Sequence, residues 1–293
     1  MLKRSMTVSS LVKLISDNLE YLETANRNGR LYAGDNVCWR MNAIYSKHVQ
    51  ENVKVESTKT PYTEVGIAME KVIINSLVKG GIYVSHDVRI PEIEGIPLGG
   101  KIDAIIIWND KPVILEIKTA SNTLIKEKHR IQAMTYSLFT GLDYIILYLN
   151  RNIGKPMFGK LTLDAEAHYF TYNEAEAMSL YTNICKAAYS SANEMLDNTD
   201  IPHNKTACKS FYCPFIGYCH EGKKLAGSSF RAMPKNKQKE YKAFVDEKVD
   251  WFFTHQPEVY KGFLANLNSK RNRSKRNEKI VLEYYEKTFG VTT

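Results

Sequence analysis

Several features are missing or scarce in this chain of 293 residues. No apolar run approaches the roughly 18 residues that a membrane-spanning helix requires, so we expect no membrane segment. The first residues do not resemble a secretory signal, because Asp17, Glu20 and Glu23 interrupt them and no long apolar block is present. The sequence also contains no internal repeat. With 44% hydrophobic and 25% charged residues, we expect a globular cytoplasmic protein.

Cysteine is scarce as well, with five residues in all. An odd number of cysteines and no secretory signal disfavour a disulfide framework. Three cysteines lie close together near residues 208–219, and a fourth, Cys38, lies far upstream. Four thiolates are the number that an iron-sulfur cluster or a zinc site requires, so we predict one of these centres, with unliganded thiols as the alternative. The fifth, Cys185, falls within a helix predicted over residues 173–196 and is expected to be a packed core thiol.

Two apolar runs of strand length stand in the middle of the chain, at Ile102–Trp108 and Val113–Ile117. The turn-like sequence Asn-Asp-Lys-Pro separates them, and this arrangement predicts a β-hairpin. Because side chains alternate across a strand, Glu116 and Lys118 project from one face. Asp103, which follows a Gly-Gly-Lys-Ile sequence near the start of the first run, can reach the same face.

Two carboxylates and one ammonium group on one patch of sheet suit phosphodiester hydrolysis. Hard divalent cations such as Mg²⁺ bind carboxylate and carbonyl oxygens, which Asp103, Glu116 and the backbone carbonyl of Ile117 can supply. Lys118 can orient the attacking water or neutralise developing charge. The alternative is a cross-strand ion pair of Glu116 and Lys118 on a solvated face. The apolar flanks favour the nuclease interpretation, because a charged pair inside a buried sheet is costly.

Four motifs in this order resemble the RecB-like branch of the PD-(D/E)xK nucleases, across about residues 31–222. They are Gly66-x-x-x-Glu70, Gly100-Lys101-Ile102-Asp103, Glu116-Ile117-Lys118 and Gln132-Ala133-Met134-Thr135-Tyr136. The resemblance implies that Glu70 is a further metal ligand, where many relatives have histidine, and a carboxylate there favours Mg²⁺ or Mn²⁺. It also implies that Gln132 and Tyr136, four apart on one helix face, support the site or contact DNA.

These assignments have alternatives in which the residues have no part in catalysis. Glu70 could be a surface partner of Lys71 or Lys79, and Gln132 and Tyr136 could be ordinary polar residues of a helix surface.

The cysteine pattern resembles that of a narrower group within this branch. The fourth family of CRISPR-associated proteins, the AddB nuclease domain and the nuclease domain of the eukaryotic flap-processing helicase have one N-terminal cysteine and a C-terminal triplet that hold a [4Fe-4S] cluster. Cys38-Trp39-Arg40 is similar to their Cys-Pro-Arg, and the final spacing from Cys213-Pro214 to Cys219 matches. The gap from Cys208 to Cys213 is longer than usual. The resemblance implies that the cluster is held by Cys38, Cys208, Cys213 and Cys219, with Zn²⁺ as the alternative.

The positive charge is concentrated near the C-terminus. Residues 1–222 carry 24 basic and 24 acidic side chains, and residues 223–293 carry the remaining 16 and 8. A dense basic run there is typical of sequence-independent contact with DNA phosphates, and the alternative is a solvated linker or helix face. The candidate DNA-binding side chains of this run are Lys270, Arg271, Arg273, Lys275 and Arg276.

The predicted architecture is an α/β protein with a restriction-endonuclease-like mixed sheet flanked by helices. Strands are predicted at about Tyr83–Ile90, Leu98–Trp108, Val113–Lys118, Tyr144–Leu149 and Met157–Leu163, and helices at about Glu64–Val78 and Leu124–Phe139. The predicted domains are an N-terminal helical region with the first cysteine ligand at 1–62, a nuclease core at 63–200, a cysteine-rich cluster region at 201–222 and a basic helical extension at 223–293.

The expected activity is a Mg²⁺- or Mn²⁺-dependent deoxyribonuclease. The resemblance implies an exonuclease that acts on DNA ends or single strands in replication, recombination or repair, with a helicase or recombinase as the candidate protein partner. One alternative is a nucleic-acid-binding or CRISPR-adaptation assembly partner with little turnover of its own. Another is a zinc-stabilised endonuclease.

Overall fold

The computed structural model describes residues 21–24, 31–32, 38–39, 43, 56–59, 61–120, 124–150, 165–193 and 235–292. The strands within these ranges are β1 (Tyr21–Thr24), β2 (Leu31–Tyr32), β3 (Glu56–Lys59), β4 (Tyr83–Arg89), β5 (Leu98–Gly99), β6 (Lys101–Trp108), β7 (Lys111–Ala120), β8 (Tyr144–Asn150) and β9 (Ala165–Phe170). The helices are α1 (Pro61–Lys79), α2 (Glu127–Thr140), α3 (Glu174–Ala192), α4 (Lys235–Thr254), α5 (Gln256–Asn268) and α6 (Lys275–Phe289). None of these helices has both the length and the apolar character needed to cross a membrane.

A five-stranded mixed sheet forms the centre of the fold, in the order β4-β6-β7-β8-β9. Strands β7 and β8 are parallel, and the other neighbouring pairs are antiparallel. The predicted hairpin is confirmed as β6 and β7, and its turn residues Asn109 and Asp110 have left-handed backbone angles, with φ of 49° and 59°. Asparagine and aspartate tolerate that conformation better than other non-glycine residues, which explains why the chain reverses there.

The N-terminal end of the predicted Leu98–Trp108 strand departs from the five-stranded sheet. Residues Leu98–Gly99 pair in parallel with β2, whereas the strand from Lys101 onward pairs with β4. The single predicted strand is therefore two, since its ends have different partners. The described part of region 1–62, predicted to be helical, contains helical positions at Trp39 and Ala43 and the strands β1, β2 and β3, and β1 pairs with β3. The predicted strand at Met157–Leu163 lies outside the described residues, and the described strand that pairs with β8 at the sheet edge is β9.

Each face of the sheet is covered by a different set of helices. On one face, Ile73 and Ile74 of α1 pack in a cluster with Leu115 and Ile117 of β7. On the other face, a larger cluster joins Ile114 of β7 to helices α2 and α3. Alternate residues of β7 thus point to opposite layers, which makes Glu116 and Lys118 members of the α2 side.

The C-terminal helices are part of the larger cluster. Phe252 of α4 lies between Phe139 of α2 and Tyr181 of α3, with ring centroids 5.5 Å and 4.1 Å away. Tyr285 of α6 is wholly buried and its hydroxyl donates a hydrogen bond to the Thr140 carbonyl. Residues 235–292 therefore share the hydrophobic core of the sheet, and their removal would expose it.

Candidate active site

The β6–β7 hairpin brings Asp103 and Glu116 together. Ala104 pairs with Leu115, and one further step of this antiparallel register places Asp103 opposite Glu116. The Ile117 N–H donates a hydrogen bond of 2.8 Å to Asp103 Oδ2, so a side-chain carboxylate continues the ladder where the backbone pairing ends. The sequence-based expectation that both carboxylates reach one face of the hairpin agrees with this geometry.

Glu116 is the most deeply buried charged residue of the site, with 0% of its surface exposed. Lys118 forms an ion pair with Glu116 Oε1, and Oε2 accepts no hydrogen bond from any described residue. Burial raises the pKa of Glu116 to about 8, against the lowering influence of Lys118. Burial by itself would lower the pKa of Lys118, but the negative charges of Glu116 and Asp103 outweigh it and raise that pKa. The ammonium group therefore stays charged beside a carboxyl that lacks a full set of partners.

Glu70 approaches the same place from helix α1. The motif glycine Gly66 explains the approach, because a Cβ there would lie 3.2 Å from Thr119 Oγ1 of β7. Burial and the neighbouring charge of Asp103 raise the pKa of Glu70. Glu70 and Asp103 also raise the pKa of Glu116, so the three carboxyls interact electrostatically. Within the described ranges, however, no three His, Cys, Asp or Glu side chains form a group with metal-site geometry.

Helix α2 covers the site with the Gln-x-x-x-Tyr motif. Gln132 Nε2 donates a hydrogen bond of 3.1 Å to the Tyr136 hydroxyl, and Tyr136 is only 2% exposed. Burial, followed by the charge of Glu116, raises the pKa of Tyr136 above its ordinary value. The Tyr136 hydroxyl is therefore neutral, and Gln132 donates a hydrogen bond to it. A purely surface role does not fit the burial of Tyr136.

Two residues near the carboxylates were missed by the sequence-based reasoning. Lys101 Nζ forms an ion pair of 2.7 Å with Asp87, and burial, with a smaller addition from the charge of Asp87, raises the pKa values of Glu70 and Asp103. Asp87 has a left-handed backbone conformation, with φ of 57°. Its strand, β4, pairs with β6, so its proximity depends on sheet pairing that no local motif reveals.

The proposed cysteine centre falls mostly outside the described residues. Cys208, Cys213 and Cys219 all lie there. Cys38 is described as a buried free thiol. Cys185 is buried within helix α3, which confirms its prediction as a packed core thiol, and burial raises its pKa to about 12.

The basic run near residue 270 is divided between structural and exposed side chains. Arg273 donates a hydrogen bond of 2.7 Å to Glu278 and two more to the carbonyls of Asn268 and Lys270. Its guanidinium is therefore occupied within the fold. The most exposed members of the run are Arg271, Lys275 and Arg276, and Lys270 is half-buried.

The chemistry of the site fits a hard divalent cation. Glu116 Oε2 is a buried carboxylate oxygen without a hydrogen-bond partner among the described residues, and such an atom is stabilised by a positive ligand. Asp103, Glu116 and Glu70 offer carboxyl oxygens, which are the donors that hard divalent cations prefer.

Comparison with known proteins agrees with this geometry. Residues 28–220 match the family model of the PD-(D/E)XK nuclease superfamily. No curated protein matches the chain. A solved structure described as "Crystal structure of SSO0001" is 20% identical, covers 74% of this chain and 97% of its own chain, and superposes with a TM-score of 0.41, a similarity from which nothing further follows. Because the family match spans well over half of the sequence, the chain belongs to the PD-(D/E)XK nuclease superfamily.

Proposed function

We propose that this protein is a Mg²⁺- or Mn²⁺-dependent deoxyribonuclease that degrades DNA from its ends. The observation that carries the proposal is the buried Glu116 carboxylate, with Oε2 unpartnered among the described residues, beside the Lys118 ammonium and opposite Asp103. Folding would expel such a group or pair it completely unless a ligand completed it. The superfamily acts on phosphodiester bonds with the help of divalent cations, and that coarser activity is the basis for the finer assignment.

Each side chain has a distinct task in this proposal. Asp103, Glu116 and Glu70, with the Ile117 carbonyl, would hold the cation, which when bound activates water and stabilises charge on the phosphate. Lys118 keeps its proton, because Glu116 and Asp103 raise its pKa, and its ammonium orients the water or neutralises the charge that develops on the phosphate. Tyr136 and Gln132 support the site from helix α2.

The exonuclease mode and a role in replication, recombination or repair belong to the proposal through the RecB-like motif order. A helicase or recombinase partner would supply opened DNA ends. The cysteine centre is also part of it. Cys38 is a buried thiol without a disulfide among the described residues, as a structural cluster ligand would require, and a [4Fe-4S] cluster or Zn²⁺ would join it to Cys208, Cys213 and Cys219.

The activity is tested with 5′- and 3′-labelled single- and double-stranded DNA in Mg²⁺ or Mn²⁺, on protein prepared without oxygen. We expect metal-dependent shortening from an end, lost in Asp103→Ala and Lys118→Ala and retained in the control variant Glu283→Gln, which changes an exposed ion pair with Lys279 on α6. DNA binding without turnover in the parent protein would instead support the assembly-partner function. Quantification of iron and zinc in the same preparation distinguishes the cluster from zinc.

A further inference from the structure

A second cluster of functional side chains adjoins the active site on its β8 side. Tyr148 pairs directly across from Lys118 in the parallel β7–β8 register, so both side chains project from the same face. The Tyr148 hydroxyl accepts a hydrogen bond of 3.0 Å from the Lys126 N–H and lies 2.9 Å from His129 Nδ1. Tyr148 thereby links strand β7 to the start of helix α2.

The contacts of Tyr148 favour one tautomer of His129. The Tyr148 oxygen accepts from the Lys126 N–H, and its charged neighbours are the Lys118 ammonium and the Glu116 carboxyl. His129 Nδ1, at 2.9 Å, is within hydrogen-bond distance of the Tyr148 hydroxyl, and we assign the hydroxyl proton to that bond. Burial and three nearby lysines lower the pKa of His129 to about 3, so the ring is neutral and its proton lies on Nε2.

The surroundings of His129 attract an anion. The three lysines that lower its pKa are Lys118, Lys128 and Lys126, in that order. His129 is half-buried, and Nε2 has no hydrogen-bond partner among the described residues. A neutral N–H donor among three ammonium groups is complementary to a phosphate oxygen and repels a metal cation. Because Tyr148 lies 2.9 Å from His129 Nδ1 and pairs with Lys118 across β7 and β8, His129 adjoins the candidate active site.

We propose that His129, held by Tyr148 and flanked by Lys126 and Lys128, binds a phosphate of the DNA strand adjacent to the phosphodiester that is cleaved. The inference rests on the proposed nuclease function and adds a positioning residue to it. His129 contacts the neighbouring phosphate, and Tyr148 acts through His129. Binding there fixes the strand along β7 and α2, so that the scissile phosphate meets Lys118 and the carboxylates in one register.

The test combines DNA binding with substitution of single phosphates. Affinity for a fluorescent single-stranded oligonucleotide is measured in Ca²⁺ by anisotropy, and cleavage is measured in parallel in Mg²⁺ or Mn²⁺. We expect His129→Ala to weaken binding roughly tenfold, as loss of one hydrogen bond to a charged group implies. His129→Gln places an amide N–H near the position of Nε2 and should recover most of that loss. Tyr148→Phe should weaken binding about threefold by releasing the ring.

Neutral methylphosphonate linkages, introduced one at a time, identify the phosphate. In the parent protein one position next to the cleaved bond should weaken binding, and in His129→Ala the same linkage should have no further effect. His255→Gln is the matched control, because it removes a histidine stacked on Trp251 at the α4–α5 junction and should bind like the parent. Thermal unfolding of every variant verifies that it is folded.

Three outcomes overturn the inference. They are unchanged DNA affinity in His129→Ala, a methylphosphonate effect that persists undiminished in that variant, and a parent protein that does not bind DNA. A different result would separate the two proposals. If the parent protein cleaves no DNA with either metal but His129→Ala still weakens DNA binding, the nuclease proposal is rejected and the phosphate contact of His129 is supported.

Discussion

Two buried glutamates in this protein have opposite environments. Glu278 of α6 is 6% exposed and accepts a hydrogen bond of 2.7 Å from Arg273 Nε, and Arg273 Nη1 donates to the carbonyls of Asn268 and Lys270. Glu116 is 0% exposed, has one ion pair with Lys118 and leaves Oε2 without a partner among the described residues. The first carboxylate is complete within the fold. The second has an oxygen that a bound cation would complete in the proposed function.

The Arg273–Glu278 pair lies beside contacts that join the C-terminal region to the sheet. Next to it, Asn277 donates hydrogen bonds to the carbonyls of Gly81 and Tyr83, at 2.9 Å and 2.8 Å, and the Ser274 N–H donates to Val84. These contacts join α6 to the edge strand β4. The comparison shows that a buried glutamate in the C-terminal region is paired within the fold, whereas the glutamate of the candidate site has an oxygen without a partner among the described residues.

The largest expected effect comes from Glu116→Gln, which keeps the shape of the side chain and removes its charge. Metal-dependent cleavage should fall on the order of 100-fold or more, because a charged ligand of the reacting centre is lost. The free energy of unfolding measured in urea with EDTA should not decrease, since an incompletely paired buried carboxyl is replaced by a neutral amide. A clear loss of stability would show that Glu116 is a structural residue like Glu278.

Arg273→Ala should have the second largest effect, on stability rather than on activity. Removal of one partner leaves the buried Glu278 charge uncompensated, and we expect the free energy of unfolding to fall by about 3 kcal/mol. Lys275→Ala is the matched control, because Lys275 approaches the same carboxylate at 3.6 Å with a side chain that is 75% exposed, and it should cost about 0 to 1 kcal/mol. Equal losses in the two variants would contradict this account.

The pH dependence of stability should differ between the parent protein and Glu116→Gln. In the folded, metal-free protein Glu116 holds its proton up to about pH 8, whereas in the unfolded chain it releases the proton near the ordinary pKa of 4.5. The folded state therefore binds more protons between these values, and the free energy of unfolding falls as pH rises from about 5 to 8. Glu116→Gln should lack this contribution. Urea unfolding in EDTA across this range measures the difference.

The smallest expected effect concerns the exposed arginines of the basic run. Arg271 and Arg276 are exposed, unlike Arg273, so the double alanine variant should keep its stability and bind DNA more weakly. If each side chain contacts one phosphate, the slope of log affinity against log salt should decrease by roughly one for each. Lys237→Ala, in an exposed ion pair with Glu240 on α4, is the control. An unchanged slope would place the DNA path elsewhere.

Much of the active site could be predicted from the sequence because its motifs are local. The strand-length apolar runs and the Asn-Asp turn determine the β6–β7 hairpin, and the period of two places Glu116 and Lys118 on one face. The spacing of four places Gln132 beside Tyr136, which their hydrogen bond confirms. Each of these relations depends on neighbours within one element or one tight turn.

Other relations depend on contacts between distant segments, which no local pattern encodes. Asp87 and Tyr148 reach the site through the pairing of β4 with β6 and of β8 with β7. The split of the Leu98–Trp108 strand reflects the separate pairing of Leu98 with β2. Arg273 and Arg271 are both arginines of the basic run, but only the structure shows that Arg273 is hydrogen-bonded within the fold, to Glu278. From local sequence patterns alone, all of these residues look like ordinary strand or surface residues.

The sequence by itself determined the chemistry of this protein: which side chains carry carboxylates, amines and thiols, and on which faces of their own strands and helices they lie. Only the tertiary structure decided which of them are buried without partners and which are fully hydrogen-bonded. The physical reason is that the free energy of a buried charge depends on its surroundings in three dimensions. Those surroundings come from strands and helices far apart in the chain.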